Sequence, residues 1–192
     1  MQEYSPLHNL QNKVNKKITQ HLYIQLKFTY ICTYKYRAPI MKIEEVIKTN
    51  INLGDSKKII LNIIYTQNVI GDKFNEIIKP YDLSSEQYNV LRILRGQKGS
   101  PANMCIIQER MLSKNSNTTR LIDKLLLKGF VTREVCPENR RKIEVLITNK
   151  GLELLKILDP KIMEYEDLFA SNLSSSEKEQ LITLLEKYRT LK

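Results

Sequence analysis

Residues 130–135, FVTREV, and residues 143–148, IEVLIT, are rich in β-branched side chains and stand seven residues apart. Parallel strands need a crossover of about a dozen residues or more, so this short return forces an antiparallel hairpin, Phe130–Val135 against Ile143–Ile147. Ile143, Val145 and Ile147 then fall on one face. The connection, CPENRRK, ends in three consecutive cations, Arg140, Arg141 and Lys142. Adjacent like charges repel, so such a tip is wasteful unless an anion comes to meet it.

Upstream of the hairpin the apolar spacing is helical. Ile60, Ile63, Ile64, Ile70, Phe74, Ile77 and Ile78 predict a helix over Ser56–Lys79 that Pro80 ends. Ser84 and Gln87 form a capping-box pattern ahead of Tyr88, Val90, Leu91, Ile93 and Leu94, a second helix. Gly96–Pro101 reads as a loop, Ala102–Met111 as a short helix and SKNSN as a polar connection. Ser116–Lys128 is predicted as another helix, with Leu121, Ile122, Leu125 and Leu126 inward and Gly129 at its C′ position. After the hairpin, Thr148–Phe169 predicts a long helix interrupted at Pro160. Ser174 and Glu177 cap a last helix whose apolar positions are Leu181, Ile182, Leu184, Leu185 and Tyr188. The predicted class is therefore mainly α with a small β-hairpin wing.

At 192 residues the chain is one domain of ordinary size, or one domain with an extension. Its formal charge of +10 is unevenly spread. Residues 84–148 carry twelve Lys/Arg against six Asp/Glu, while residues 41–83 carry six of each and residues 149–192 seven against eight. Apart from the first forty residues, the excess lies in the segment that ends in the basic hairpin. That is the electrostatic footprint of a nucleic-acid-binding lobe; a solubilising surface is the plainer alternative.

Catalytic chemistry finds little support. Both histidines, His8 and His21, precede Met41, which disfavours His-based acid/base catalysis, Cys–His nucleophiles and His-ligated metals. Six scattered glycines make no phosphate-cradling loop, so neither an enzyme nor a cofactor is expected. Three cysteines, Cys32, Cys105 and Cys136, have no CxxC spacing and leave one unpaired in any disulfide scheme. With no secretory pattern and no apolar run of about 18 residues, the chain reads as cytoplasmic and reduced, without a membrane partner. Cys105 is expected as a small core residue. Cys136 is expected exposed at the base of the wing, beside cations that lower its pKa. The run Glu164, Glu166, Asp167 reads as a solvated helix face rather than a metal site.

Residues 1–40 differ in texture from the rest. In HLYIQLKFTYICTY, Leu22, Ile24, Leu26, Phe28, Tyr30, Cys32 and Tyr34 alternate as in a strand, yet the block holds five of the ten tyrosines. The shift at Met41 suggests that residues 1–40 are a non-native extension and Met41 the physiological start. An extra strand or a disordered arm are the rival readings.

Helix, short helix, polar turn, helix and basic-tipped hairpin compose a winged helix-turn-helix. In such a unit the helix starting near Ser116 enters the major groove by its first turn, here Asn115, Ser116, Asn117, Thr118, Thr119 and Arg120, with Lys124 one turn on. Short polar side chains approach base edges closely; Asn suits adenine and Arg suits guanine. The plainer reading is that Asn115 or Ser116 only caps the helix. Arg140, Arg141 and Lys142, with Asn139, would meet phosphates or a narrow minor groove.

These residues resemble the MarR family of transcriptional regulators. Ser116, Thr119, Arg120, Leu121, Ile122, Asp123, Leu125, Lys128, Gly129, Phe130 and Val131 meet the family's recognition-helix pattern, and Asn139-Arg140-Arg141 and Ile147-Thr148-Asn149-Lys150-Gly151 its wing and following motif. Asn139 departs from the usual Asp that steadies the wing arginine. The resemblance covers Ser56 to the C-terminus and implies a homodimer reading a pseudo-palindromic operator in double-stranded DNA. It assigns residues 41–83 and 149–192 to a helical dimerisation domain and 84–148 to the winged lobe. It also implies release by a small aromatic or anionic effector, for which Tyr65, Tyr81 and Tyr88 are candidate pocket residues unless they simply pack the core. A protein–protein winged-helix module and a redox-responsive regulator acting through Cys136 are the alternatives.

Overall fold

The computed structural model describes residues 40–114, 116–135 and 143–190. The alternating stretch within residues 1–39, Asn115, and the hairpin tip with Cys136, Asn139, Arg140, Arg141 and Lys142 lie outside the described residues.

The chain divides into two compact units, one ending at Ile63 and one beginning at Ile64. In the first, a single turn α1 (Ile43–Val46) precedes α2 (Asp55–Ile78), which continues into the second unit. Ile43 and Leu53 are buried, and Lys58 Nζ lies 2.7 Å from Glu44 Oε1. That hydrogen-bonded pair holds the Glu44 carboxyl below its usual range and the Lys58 ammonium above its own.

In the second unit, Pro80 ends α2 in a 3-10 turn over Lys79–Tyr81. The Ser84 capping box then starts α3 (Ser85–Arg95): Ser84 Oγ accepts from Gln87 N at 3.3 Å and Gln87 Oε1 accepts from Ser84 N at 3.0 Å. Residues Ala102–Asn103, predicted as the start of a helix, instead form strand β1, and the helix α4 spans Met104–Arg110. Two things hold them extended. Ala102 and Asn103 pair with Val145 and Glu144, and the Asn103 side chain accepts from Ile106 N at 3.0 Å as the N-cap of α4.

After α4 come α5 (Thr118–Leu127), β2 (Val131–Val135), β3 (Ile143–Ile147), α6 (Asn149–Ala170) and α7 (Ser175–Tyr188). The sheet order is β1-β3-β2, all antiparallel, with Val131 opposite Ile147 and Val135 opposite Ile143. The predicted hairpin is thus two-thirds of a three-stranded sheet. Nor is the long C-terminal helix interrupted at Pro160: α6 runs through it. Proline removes one helix hydrogen bond, but Pro160 and Lys156, whose carbonyl loses its donor, are both exposed. Leu154, Leu155, Leu158 and Ile162 are buried on either side and keep the helix whole.

The core gathers residues from α2 through α6 and all three strands. Leu91 of α3, Ile107 of α4, Leu125 of α5, Val145 of β3 and Leu155 and Leu158 of α6 are each 0% exposed. Phe74 packs edge-on to Tyr88 with centroids 5.3 Å apart, and the Tyr165 hydroxyl donates to Ile70 O at 2.8 Å.

Candidate nucleic-acid interface

An exposed recognition surface needs a helix anchored on its other side. In α5 the anchors are Thr118, Ile122 and Leu125, buried at helical spacing. Thr119, Arg120, Asp123 and Lys124 are exposed, and Ser116 is partly so. The N-cap is Asn117, not Asn115 or Ser116: its side-chain oxygen accepts from Arg120 N at 3.1 Å. Capping and display therefore share the first turn, with Asn117 exposed as well. Thr118 turns away from the surface on which the sequence placed it. It is 6% exposed, and its hydroxyl donates to Gln108 Oε1 on α4.

The far end of α5 is closed by a Schellman motif. Gly129 N donates to Leu126 O at 2.9 Å, Phe130 N donates to Leu125 O at 3.0 Å, and Gly129 takes the left-handed φ of +71° that the motif requires. The carbonyls of residues 128–130 are taken up by the start of α6. Lys150 Nζ donates to Lys128 O at 2.8 Å, Thr148 Oγ1 to Gly129 O at 2.8 Å, and Thr148 N to Phe130 O at 3.0 Å. This approach explains a glycine at residue 151, where a Cβ would come within 2.5 Å of Phe130 O. Lys128 Nζ in turn stands 2.9 Å from Asp82 Oδ2, ahead of α3.

The wing is tied to the same helix. Arg133 Nη1 of β2 donates to Asp123 Oδ1 of α5 at 3.0 Å. Exposed pairs of this kind add little stability. Here the pair links β2 of the hairpin to the exposed face of α5. Sequence reasoning missed this pair and missed Gln108. A lone carboxylate on an otherwise cationic helix face, ten residues before an arginine, was the available signal for the first.

The three tyrosines suggested for a ligand pocket sit in different surroundings. Tyr88 is a core residue, 5% exposed, and burial raises its hydroxyl pKa. Tyr81 is half-buried and its oxygen accepts from Lys161 Nζ at 2.7 Å. Tyr65 is exposed. Cys105, expected in the core, is exposed too. Ile107 and Met111 define the buried side of this segment, and two residues back from Ile107 is about 200° around a helix.

The MarR family model matches residues 83–143, from the start of α3 to the return strand of the wing. Over 110 residues the chain is 34% identical to YkoM, an HTH-type transcriptional regulator of Bacillus subtilis, spanning 57% of this chain and 70% of that one. A MarR transcription factor from Planctomyces limnophilus superposes with a TM-score of 0.55 at 32% identity, covering 71% of this chain and 98% of its own. Bordetella bronchiseptica BpsR, at 18% identity and a TM-score of 0.64 over 73% of this chain and 99% of that one, shares the fold. The three-stranded winged lobe, a helix anchored on one side and exposed on the other, and sequence likeness agree: this chain belongs to the MarR family of DNA-binding transcriptional regulators.

Proposed function

We propose that the chain acts as a homodimeric repressor that reads a pseudo-palindromic operator in cytoplasmic double-stranded DNA. Residues 84–148 are the DNA-binding lobe, and residues 41–83 and 149–192 supply the dimerisation helices. The observation that carries this reading is the face of α5. Asn117, Thr119, Arg120 and Lys124 are exposed on a helix whose other side is buried, within the segment that holds the charge excess. Ser116 joins them at the helix start. Arg140, Arg141 and Lys142, with Asn139 beside them in sequence, serve in this reading as the wing's phosphate and minor-groove contacts.

The dimer is supported by apolar residues that the single chain leaves in water. On α7, Leu181, Ile182, Leu184, Leu185 and Tyr188 are 41–62% exposed, and on α2 Ile59, Ile60, Ile63 and Ile64 are exposed as well. A stripe at that spacing is the surface a second copy would cover. Among the described residues no helix is long and apolar enough to cross a membrane, so the stripe is not a span. For repression, a relative from Escherichia coli, MprA, is named a transcriptional repressor. For release, DNA binding by BpsR is described as regulated by 6-hydroxynicotinic acid, and another neighbour in fold is described in a 2,4-dichlorophenol-bound form. A small aromatic or anionic effector is proposed here on the same lines. Tyr81, with the Lys161 ammonium at its hydroxyl, is the tyrosine best suited to meet it.

Selection of duplexes from a random pool by the full chain tests the reading. The expected product carries two related half-sites about 34–36 Å apart centre to centre. Arg120→Ala should weaken binding to that duplex by about 1–3 kcal/mol, roughly 5- to 150-fold. Sedimentation should show a dimer. Recovery of no common sequence, or a monomer bound to one half-site, would overturn the proposal.

A further inference from the structure

We infer that Gln108, which faces α5 from α4, is a positioning residue for sequence readout, holding the first turn of the recognition helix at a fixed roll. The inference rests on the reading of α5 as the recognition helix and adds a residue outside it. The connection between the two helices is poorly anchored by packing: Met111 is 2% exposed, but Leu112 is 90% exposed and Ser113 and Lys114 are exposed too. Its anchor is polar. Gln108 Nε2 donates to Lys114 O at 2.5 Å, and Gln108 Oε1 accepts from the Thr118 hydroxyl. Lys114 Nζ in turn donates to Glu109 O on α4.

One side-chain amide thus uses its donor on the middle of the turn and its acceptor on the first residue of α5. Thr118 lies between Asn117 and Thr119, both exposed, and is followed by Arg120. Where the Thr118 hydroxyl is held, the roll of those three neighbours follows. A binding constellation works only within about 0.5 Å and 10–20° of its productive geometry. Gln108 and Thr118 also border an open groove of about 570 Å³ between the two helices, so apolar packing does not replace the strut if it is removed. The nearest replacements lack this combination at this reach: glutamate lacks the donor, methionine lacks both groups, and asparagine is one methylene short.

The test compares affinity for a duplex selected by the parent with affinity for unrelated DNA at the same salt, using the full chain. A positioning role predicts that Gln108→Met loses roughly tenfold in the ratio of specific to non-specific affinity, the scale of one or two net hydrogen bonds. Binding to unrelated DNA, which depends on charge alone, should stay as it was. Thr118→Val should lose a similar amount, Thr118→Ser should recover most of it, and the double variant Gln108→Met/Thr118→Val should be little worse than either single one. If specific and non-specific affinity fall together, in step with the folded fraction from a thermal melt, Gln108 is merely structural and the inference is wrong. An unchanged ratio in Gln108→Met overturns it equally. A parent chain that binds all duplexes alike refutes the recognition-helix reading itself, and this inference with it.

Discussion

Helices α3 and α7 begin alike and end up in opposite circumstances. Each opens on a serine capping box, Ser84 with Gln87 and Ser174 with Glu177, and each carries an apolar stripe. Yet α3 buries Gln87, Tyr88, Val90, Leu91 and Leu94, whereas α7 buries none of its fourteen residues. A cap decides where a helix starts; it does not decide whether the helix can stand alone. Isolated helices of this length are marginal in water, and most helical stability comes from a covered apolar face. Helix α3 has that cover within one chain; α7 lacks it there, and the proposed second copy would supply it.

The sharpest test of the contrast is in the lobe. Leu91→Ala, at a position with no exposure, should cost about 2–5 kcal/mol and lower the melting temperature equally at all protein concentrations. Leu185→Ala on α7, at 41% exposure, should cost roughly 1–2 kcal/mol. Its effect should appear as weaker dimerisation, with a melting temperature that depends on concentration. Equal concentration dependence in the two variants would erase the distinction. The smallest effect concerns Glu177, whose hydrogen bonds from the Ser174 backbone and hydroxyl hold its carboxyl below the usual range. A depressed carboxyl stabilises the helix above the unfolded value, about 4.3, and loses that contribution as pH falls through the folded value. Circular dichroism should therefore show a slight acid-induced loss of helix that Glu177→Ala removes, with little difference near neutrality.

What was legible in the sequence was what neighbouring residues decide among themselves. Both capping boxes, the C′ role of Gly129 and the inward positions Ile122 and Leu125 follow from contacts within a few residues, and the structure has them all. Strand β1 did not announce itself, because Ala102 is extended through Val145, more than forty residues on. Pro160 misled for a related reason: the local rule against proline in a helix yields to the buried leucines around it. At the candidate interface, composition marked a polar turn but not the direction of each side chain. Thr118 looked like its neighbours and proved to be held inward by Gln108, a residue without any motif of its own.

The seam between α5 and α6 bears on how such a chain diversifies. Residues 128–130 and 148–151 are stapled together, so the hairpin leaves and re-enters the lobe through one closed gate. With its ends already held, lengthening the tip costs little closure entropy, about 0.6 kcal/mol for each doubling of loop length. The segment between the strands is a replaceable cartridge: its length and charge can be rewritten while the fold behind the gate keeps its shape.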